Sequence, residues 1–150
     1  MKFEIVIETP LTTAEAWRRL TDWRAHASWV PLTKMIILHE SAKSPTLGDK
    51  FIGRTGVWPL RFDDLMTVTA FRTPNPSDPE STGFCEVAKT GTLIKGKAWF
   101  EVVPRAGQAS VIWVEDVVLP AWIERGFGPP VRRFSQFVFR VALTKAMVKD

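Results

Sequence analysis

Two adjacent carboxylates, Glu115 and Asp116, interrupt an otherwise apolar stretch, VIWVEDVVL at 111–119. The stretch reads as a β-strand. Side chains alternate faces along a strand, so the two carboxylates point to opposite sides of the sheet that contains them. One faces water and the other faces whatever the sheet covers. A carboxylate turned into an apolar interior is costly unless it is paired or protonated. Burial also raises its pKa, which suits a general acid or base, or an anchor for a ligand hydroxyl or amine. Alternation alone leaves the register open, because Val111, Trp113 and Val117 on one side are no more apolar than Ile112, Val114 and Val118 on the other.

Three more residues could join such chemistry. Lys89 follows Cys85 and Val87 at two-residue spacing. If those face inward, so does Lys89, where it can pair with Glu115 or bind an anionic ligand; at a strand end beside Thr90 and Gly91 it can also snorkel to solvent. Asp64 shares a face with Met66 and Val68, either inward or at a rim. His26 lies between Trp23 and Trp29 on a short helix, as an exposed residue or as an acid/base group working near neutral pH. His39 stands alone in a strand. Two distant histidines and a single cysteine, Cys85, give no metal-ligand spacing, so no metal is expected. No Gly-x-Ser-x-Gly nucleophile elbow and no glycine-rich phosphate loop occurs, so no cofactor is expected either.

The elements that must position these groups come from a chain of 150 residues, a length that suits one domain over 1–150. Seven Trp and ten Phe with no Tyr supply large apolar walls with few hydrogen-bonding groups, as a big core or a lined cavity requires. The net charge of +4 is spread out with no run of five or six like charges, so the composition does not call for nucleic acid as a partner. No apolar run is long enough for membrane insertion. One cysteine excludes an internal disulfide, and MKFEIVIE opens as a strand rather than a leader, so the expected compartment is cytoplasmic.

Residues 3–9 alternate as a half-buried strand. Thr12-Thr-Ala-Glu15 reads as a capping box in which Glu15 reaches back to Thr12, opening a helix over 13–22. A second short helix covers 23–29 and stops before Pro31. Strands follow at 35–41, 50–54, 62–72, 84–90, 93–103 and 111–119, with a proline-rich loop at 73–83 and a hairpin loop at 104–108. Residues 121–128 read as a connector, and Pro129 and Pro130 as the start of a helix over 130–149. Its predicted inner face is Phe134, Phe137, Val138, Val141, Ala142 and Val148, against Arg132, Arg133, Gln136, Arg140 and Thr144 outside. Strands joined by short loops and covered by one long helix make an α+β, two-layer fold with an antiparallel sheet of about seven strands.

This order resembles the helix-grip fold of the START-like, or SRPBCC, superfamily, and specifically an actinobacterial-type subgroup. That superfamily includes polyketide cyclases and dehydratases, lipid-transfer domains and the birch-pollen-allergen family. The resemblance is carried by ETPLTTAEAWRRLTDWRAHASWVP, GDKFIGRTGVWPLRFDDLMTVTAF, KTGTLIKGKAWFEVVP and VIWVEDVVLP. It implies a curved sheet wrapped around the long C-terminal helix, with two short helices after the first strand and an apolar chamber between. It also implies that Trp113 and Glu115 face the chamber and Asp116 faces water, and that His26 borders the entrance, near Arg125 and Phe127. The chamber wall expected from it comprises Trp29, Phe51, Met66 and Val68, then Val87, Phe100 and Trp113, then Phe134, Phe137, Val138 and Val141 of the helix. The function implied first is binding of a small hydrophobic molecule such as a lipid or polyketide. A polyketide cyclase or dehydratase using Glu115 and His26 as catalytic groups is the second. A toxin- or cochaperone-like interaction module using the outward row Lys95, Lys97, Trp99 and Glu101 is the third. Oligomeric state is left open, a homodimer included.

Overall fold

The computed structural model describes residues 1–40, 46–57 and 59–148. Strand β1 (Lys2–Thr9) is followed by helix α1 (Thr13–Leu20) and a 3-10 turn (Trp23–Ala25) that continues into α2 (His26–Trp29). Six strands then run in succession: β2 (Thr33–His39), β3 (Lys50–Val57), β4 (Leu60–Arg72), β5 (Gly83–Thr90), β6 (Lys95–Arg105) and β7 (Gln108–Val118). Helix α3 (Ala121–Ala146) closes the order. All seven strands form one antiparallel sheet in the order β1-β7-β6-β5-β4-β3-β2, so only β1 crosses from its neighbours in sequence to pair with β7. This is the helix-grip arrangement. Among the described residues no helix is long and apolar enough to cross a membrane.

Local sequence explains the frame. In β1, Phe3, Ile5 and Ile7 are buried and alternate with Glu4, Val6 and Glu8 outside. The Thr12 hydroxyl accepts from the Glu15 amide at 3.2 Å, capping α1. The Glu15 carboxylate does not complete a capping box. It takes Arg18 and Arg19 instead, and hydrogen bonds from these two guanidiniums hold its pKa at about 2. Ala16, Trp17 and Leu20 of α1 pack on the sheet, where Gly83 is needed for close approach: a Cβ there would lie 2.5 Å from the Trp17 ring. The β6–β7 turn is Ala106-Gly107, both with positive φ (50° and 82°), the handedness that matches strand twist in a two-residue hairpin.

The expected boundaries shift most at α3. The helix begins at Ala121, so Pro129 and Pro130 lie inside it rather than at its start. Proline inside a helix leaves carbonyls four residues back without donors. Here those belong to Arg125 and Gly126, both exposed, where water can take the donor's place. The C-terminal end is held firmly. Arg19 donates to the carbonyls of Ala146 and Val148 at 3.0 and 2.8 Å, and the Thr9 hydroxyl donates to that of Met147 at 2.6 Å. The expected helix end at Lys149 and strand end at Ser41 lie outside the described residues.

Candidate functional site

A cavity of about 430 Å³ lies between the inner face of the sheet and α3. Phe51, Met66, Val87 and Phe100 project into it from the strands, and Ser135, Val138 and Phe139 from the helix. Trp113 is the centre of its aromatic wall. The ring stacks on Phe100 at 5.5 Å between centroids and on Phe139 at 5.7 Å. Trp23, His26 and Trp29, from the 3-10 turn and α2, form a second aromatic side, and Trp23 stacks on Phe51 at 4.6 Å.

Among the described residues that line the cavity, the charged side chains Asp64, Lys89 and Glu115 lie together. Lys89 Nζ donates to Asp64 Oδ2 at 2.7 Å and lies 2.9 Å from Glu115 Oε2. Trp113 Nε1 donates to Glu115 Oε1 at 2.9 Å. Residues 113 and 115 share a strand face, so the indole that walls the cavity also holds the carboxylate. The side chains of Lys89 and Glu115 are 5% and 4% exposed and that of Asp64 14%, so three charges sit away from solvent. Burial raises the Glu115 pKa above the ordinary carboxylate value; Lys89 opposes this and Asp64 reinforces it. Burial pulls the Lys89 ammonium down, but Glu115 and Asp64 together outweigh it and leave its pKa above the usual lysine value. Lys89 is therefore a cation, and Glu115 is held less acidic than a free glutamate. Asp64 Oδ1 is buried with no hydrogen-bond partner among the described residues.

The register explains why these residues meet. Lys89 is opposite Met66 on β4, so Asp64 is two residues along on the same face, within reach of a lysine stem. Across β6, Ala98 stands opposite both Val87 and Glu115. Lys89 itself stands opposite Gly96, so neither β6 residue on this face carries a bulky side chain between Lys89 and the Glu115 carboxylate. His26 is half-buried at the cavity wall, with Nε2 2.8 Å from the Leu20 carbonyl, which makes that nitrogen the protonated one. Desolvation pushes its pKa down to about 4, so it is neutral near pH 7. Its ring lies 4.6 Å from Trp29 and 6.4 Å from Trp113. His26 and the charged network thus share one aromatic wall, but no hydrogen bond joins them among the described residues.

Of the residues expected at the wall, Trp29, Phe51, Met66, Val87, Phe100, Trp113, Glu115 and Val138 line the cavity. Phe134 touches its edge yet is 69% exposed. Phe137 and Val141 are outside it, 64% and 50% exposed, and Val68 is buried in the core away from it. The inner stripe of α3 keeps Val138 and Ala142 of the expected face and otherwise runs through Ser135, Phe139, Leu143 and Ala146. Small residues let the helix axis approach the sheet, and Phe127, Phe134 and Phe137 fall on the exposed side while Phe139 stays inside. Val148, assigned to the inner face, is also exposed. Arg125 and Phe127 are exposed on α3 and do not line the cavity. Asp116 is half-buried on the opposite face from Glu115, as the alternation requires. On that outer face the half-buried Trp99 ring lies beneath the ammonium groups of Lys2 and Lys97, at 5.8 and 5.3 Å.

No family model and no curated protein matches the sequence. Solved structures do match over nearly the whole chain. A START superfamily protein from Mycobacterium smegmatis superposes with a TM-score of 0.68 at 16% identity, covering 97% of this chain and 92% of that one. The fold is START-like. The Zhui aromatase/cyclase from Streptomyces sp. R1128 gives a TM-score of 0.62 at 16% identity, covering 97% and 93% of the two chains. The protein TTHA0849 from Thermus thermophilus gives 0.73 at 9% identity, covering 98% and 94%. At these identities the START-like likeness concerns the backbone, and the Asp64–Lys89–Glu115 network stands on this chain's own geometry.

Proposed function

We propose that the cavity binds one small hydrophobic molecule that carries a polar end. The observation that carries this reading is an apolar, aromatic-walled chamber of about 430 Å³ with a single buried charge network at its edge. That volume falls within the roughly 300–1,000 Å³ typical of small-molecule sites, which combine apolar lining with a few fixed polar groups. The network is ordered in advance by the Trp113 and Lys89 contacts, which limits the ordering that a ligand would have to impose on it. Asp64 Oδ1 is the acceptor that a ligand O–H or N–H would satisfy. Both Glu115 oxygens already have partners, which supports holding Lys89 and Trp113 in place, rather than proton transfer, as its task.

The test is a fluorescence titration with N-phenyl-1-naphthylamine, a neutral apolar dye, on the intact protein and on Ser135→Phe. Ser135 is a half-buried wall residue whose replacement by phenylalanine fills the chamber. The reading predicts one saturable site and a loss of at least about tenfold in affinity in Ser135→Phe, with thermal unfolding preserved. Absence of binding, or equal binding by a folded Ser135→Phe, would defeat it.

A further inference from the structure

The outer side of α3 remains unexplained by the cavity. Helix α3 carries Arg125, Arg132, Arg133, Arg140 and Lys145 against one acid, Glu124 in its first turn. The other 15 of the 20 basic residues are balanced by the other 15 acidic ones, so the net charge of +4 is that of this helix. No run of like charges marks it in the sequence, yet one structural element gathers it. Arg125, Arg132, Arg133, Arg140 and Lys145 are exposed, and none forms an ion pair among the described residues. Beside them on the same helix, Phe127, Phe134, Phe137 and Val141 are 57%, 69%, 64% and 50% exposed. Their spacings of seven, three and four residues place them in one stripe. Arg133 and Arg140, seven residues apart, run alongside it.

From this we infer that α3 docks the protein onto the surface of a bilayer containing anionic lipids. An interfacial helix needs an apolar stripe to enter the headgroup region and flanking cations to meet anionic lipid, and α3 offers both. A second copy of the chain is disfavoured as the occupant, because stacking two such faces would oppose arginine to arginine. Nucleic acid would leave the exposed phenylalanine and valine stripe without a partner. Phe134 belongs both to the stripe and to the cavity's edge, so docking would bring the chamber against the lipid. The inference stands on the helix surface and does not depend on what the cavity holds.

Flotation of the whole protein with vesicles tests it. One set is phosphatidylcholine alone and the other contains about 30% phosphatidylglycerol, at low and raised salt. The expected result is binding to the anionic vesicles only, weakened by salt. Arg133→Glu with Arg140→Glu should weaken it by at least about tenfold, and Phe137→Ser with Val141→Ser should weaken it at unchanged charge. All four positions are exposed and outside the cavity wall, and circular dichroism confirms that the variants are folded. Equal binding to both vesicle types, no binding, wild-type binding by folded variants, or tighter binding to a short DNA duplex than to anionic vesicles would each overturn the inference.

Discussion

Replacing Lys89 with methionine keeps the stem and removes the cation between the buried Glu115 and the half-buried Asp64. Its Nζ lies 2.7 Å from Asp64 Oδ2 and 2.9 Å from Glu115 Oε2. At an effective dielectric constant of about 20, each contact supplies roughly 6 kcal/mol of Coulomb attraction. Desolvation of the ammonium takes back several kcal/mol, and breaking buried pairs of this kind costs roughly 3–5 kcal/mol. We expect a loss in that range for Lys89→Met in urea denaturation near neutral pH. The pH dependence carries the sign. Burial already lifts the folded pKa of Glu115 above its unfolded value of 4.5, and losing Lys89 lifts it further. Between those two values the folded state binds more protons than the unfolded state, so stability falls as pH rises through the window. Lys89→Met should therefore regain stability, relative to the wild type, as pH is lowered from about 7 to about 5. Adding Asp64→Asn and Glu115→Gln removes all three charges and should restore most of the loss at neutral pH. A Lys89→Met cost below about 1 kcal/mol, or a triple variant no more stable than the single one, would refute the reasoning.

Two further outcomes follow from local geometry. His26 has its pKa lowered from 6.5 to about 4 by burial, so its stabilising contribution is complete above 6.5 and is lost as pH falls toward 4. The full difference is at most roughly 3 kcal/mol, and His26→Gln should flatten that part of the stability–pH curve measured by urea denaturation. Ala106 is exposed with φ of 50°, in the left-handed region that asparagine tolerates better. Ala106→Asn should stabilise by about 1 kcal/mol and raise the melting temperature by about 2–4 °C in calorimetry.

How far the sequence anticipates this structure depends on which physical signal each part used. Period-two patterning is strong in β1; in β7 both faces are apolar, so alternation separates Glu115 from Asp116 without choosing which faces inward. The Thr12 cap is equally local, since its partner is three residues away. The charged network is less local. Alternation puts Lys89 on the face of Cys85 and Val87 and Asp64 on that of Met66 and Val68 without saying that these faces are inner, and their meeting depends on a β4–β5 register that pairs Met66 with Lys89. It also depends on β6 presenting only Gly96, opposite Lys89, and Ala98, opposite Glu115, along that path. Helix α3 misleads for two reasons. Pro129 and Pro130 are a start signal on local chemistry, yet exposure of the freed carbonyls lets the helix run through them. The largest apolar residues also define the wrong inner face, because close packing on the sheet selects Ala142, Leu143 and Ala146, leaving Phe137 and Val141 to solvent. The same rotation puts Ser135 and Phe139 in the wall, where residue size alone gave no sign of them.

The account turns on the chamber between α3 and the Phe100–Trp113 wall being a ligand site. A crystal structure of the protein saturated with N-phenyl-1-naphthylamine tests this most directly, because the exposed phenylalanine stripe of α3 offers an apolar dye a competing place to bind. One dye molecule is expected inside the chamber, stacked near Trp113, with its N–H directed at Asp64 Oδ1. Dye found only on the outer face of α3, with the chamber filled by protein side chains, would contradict it.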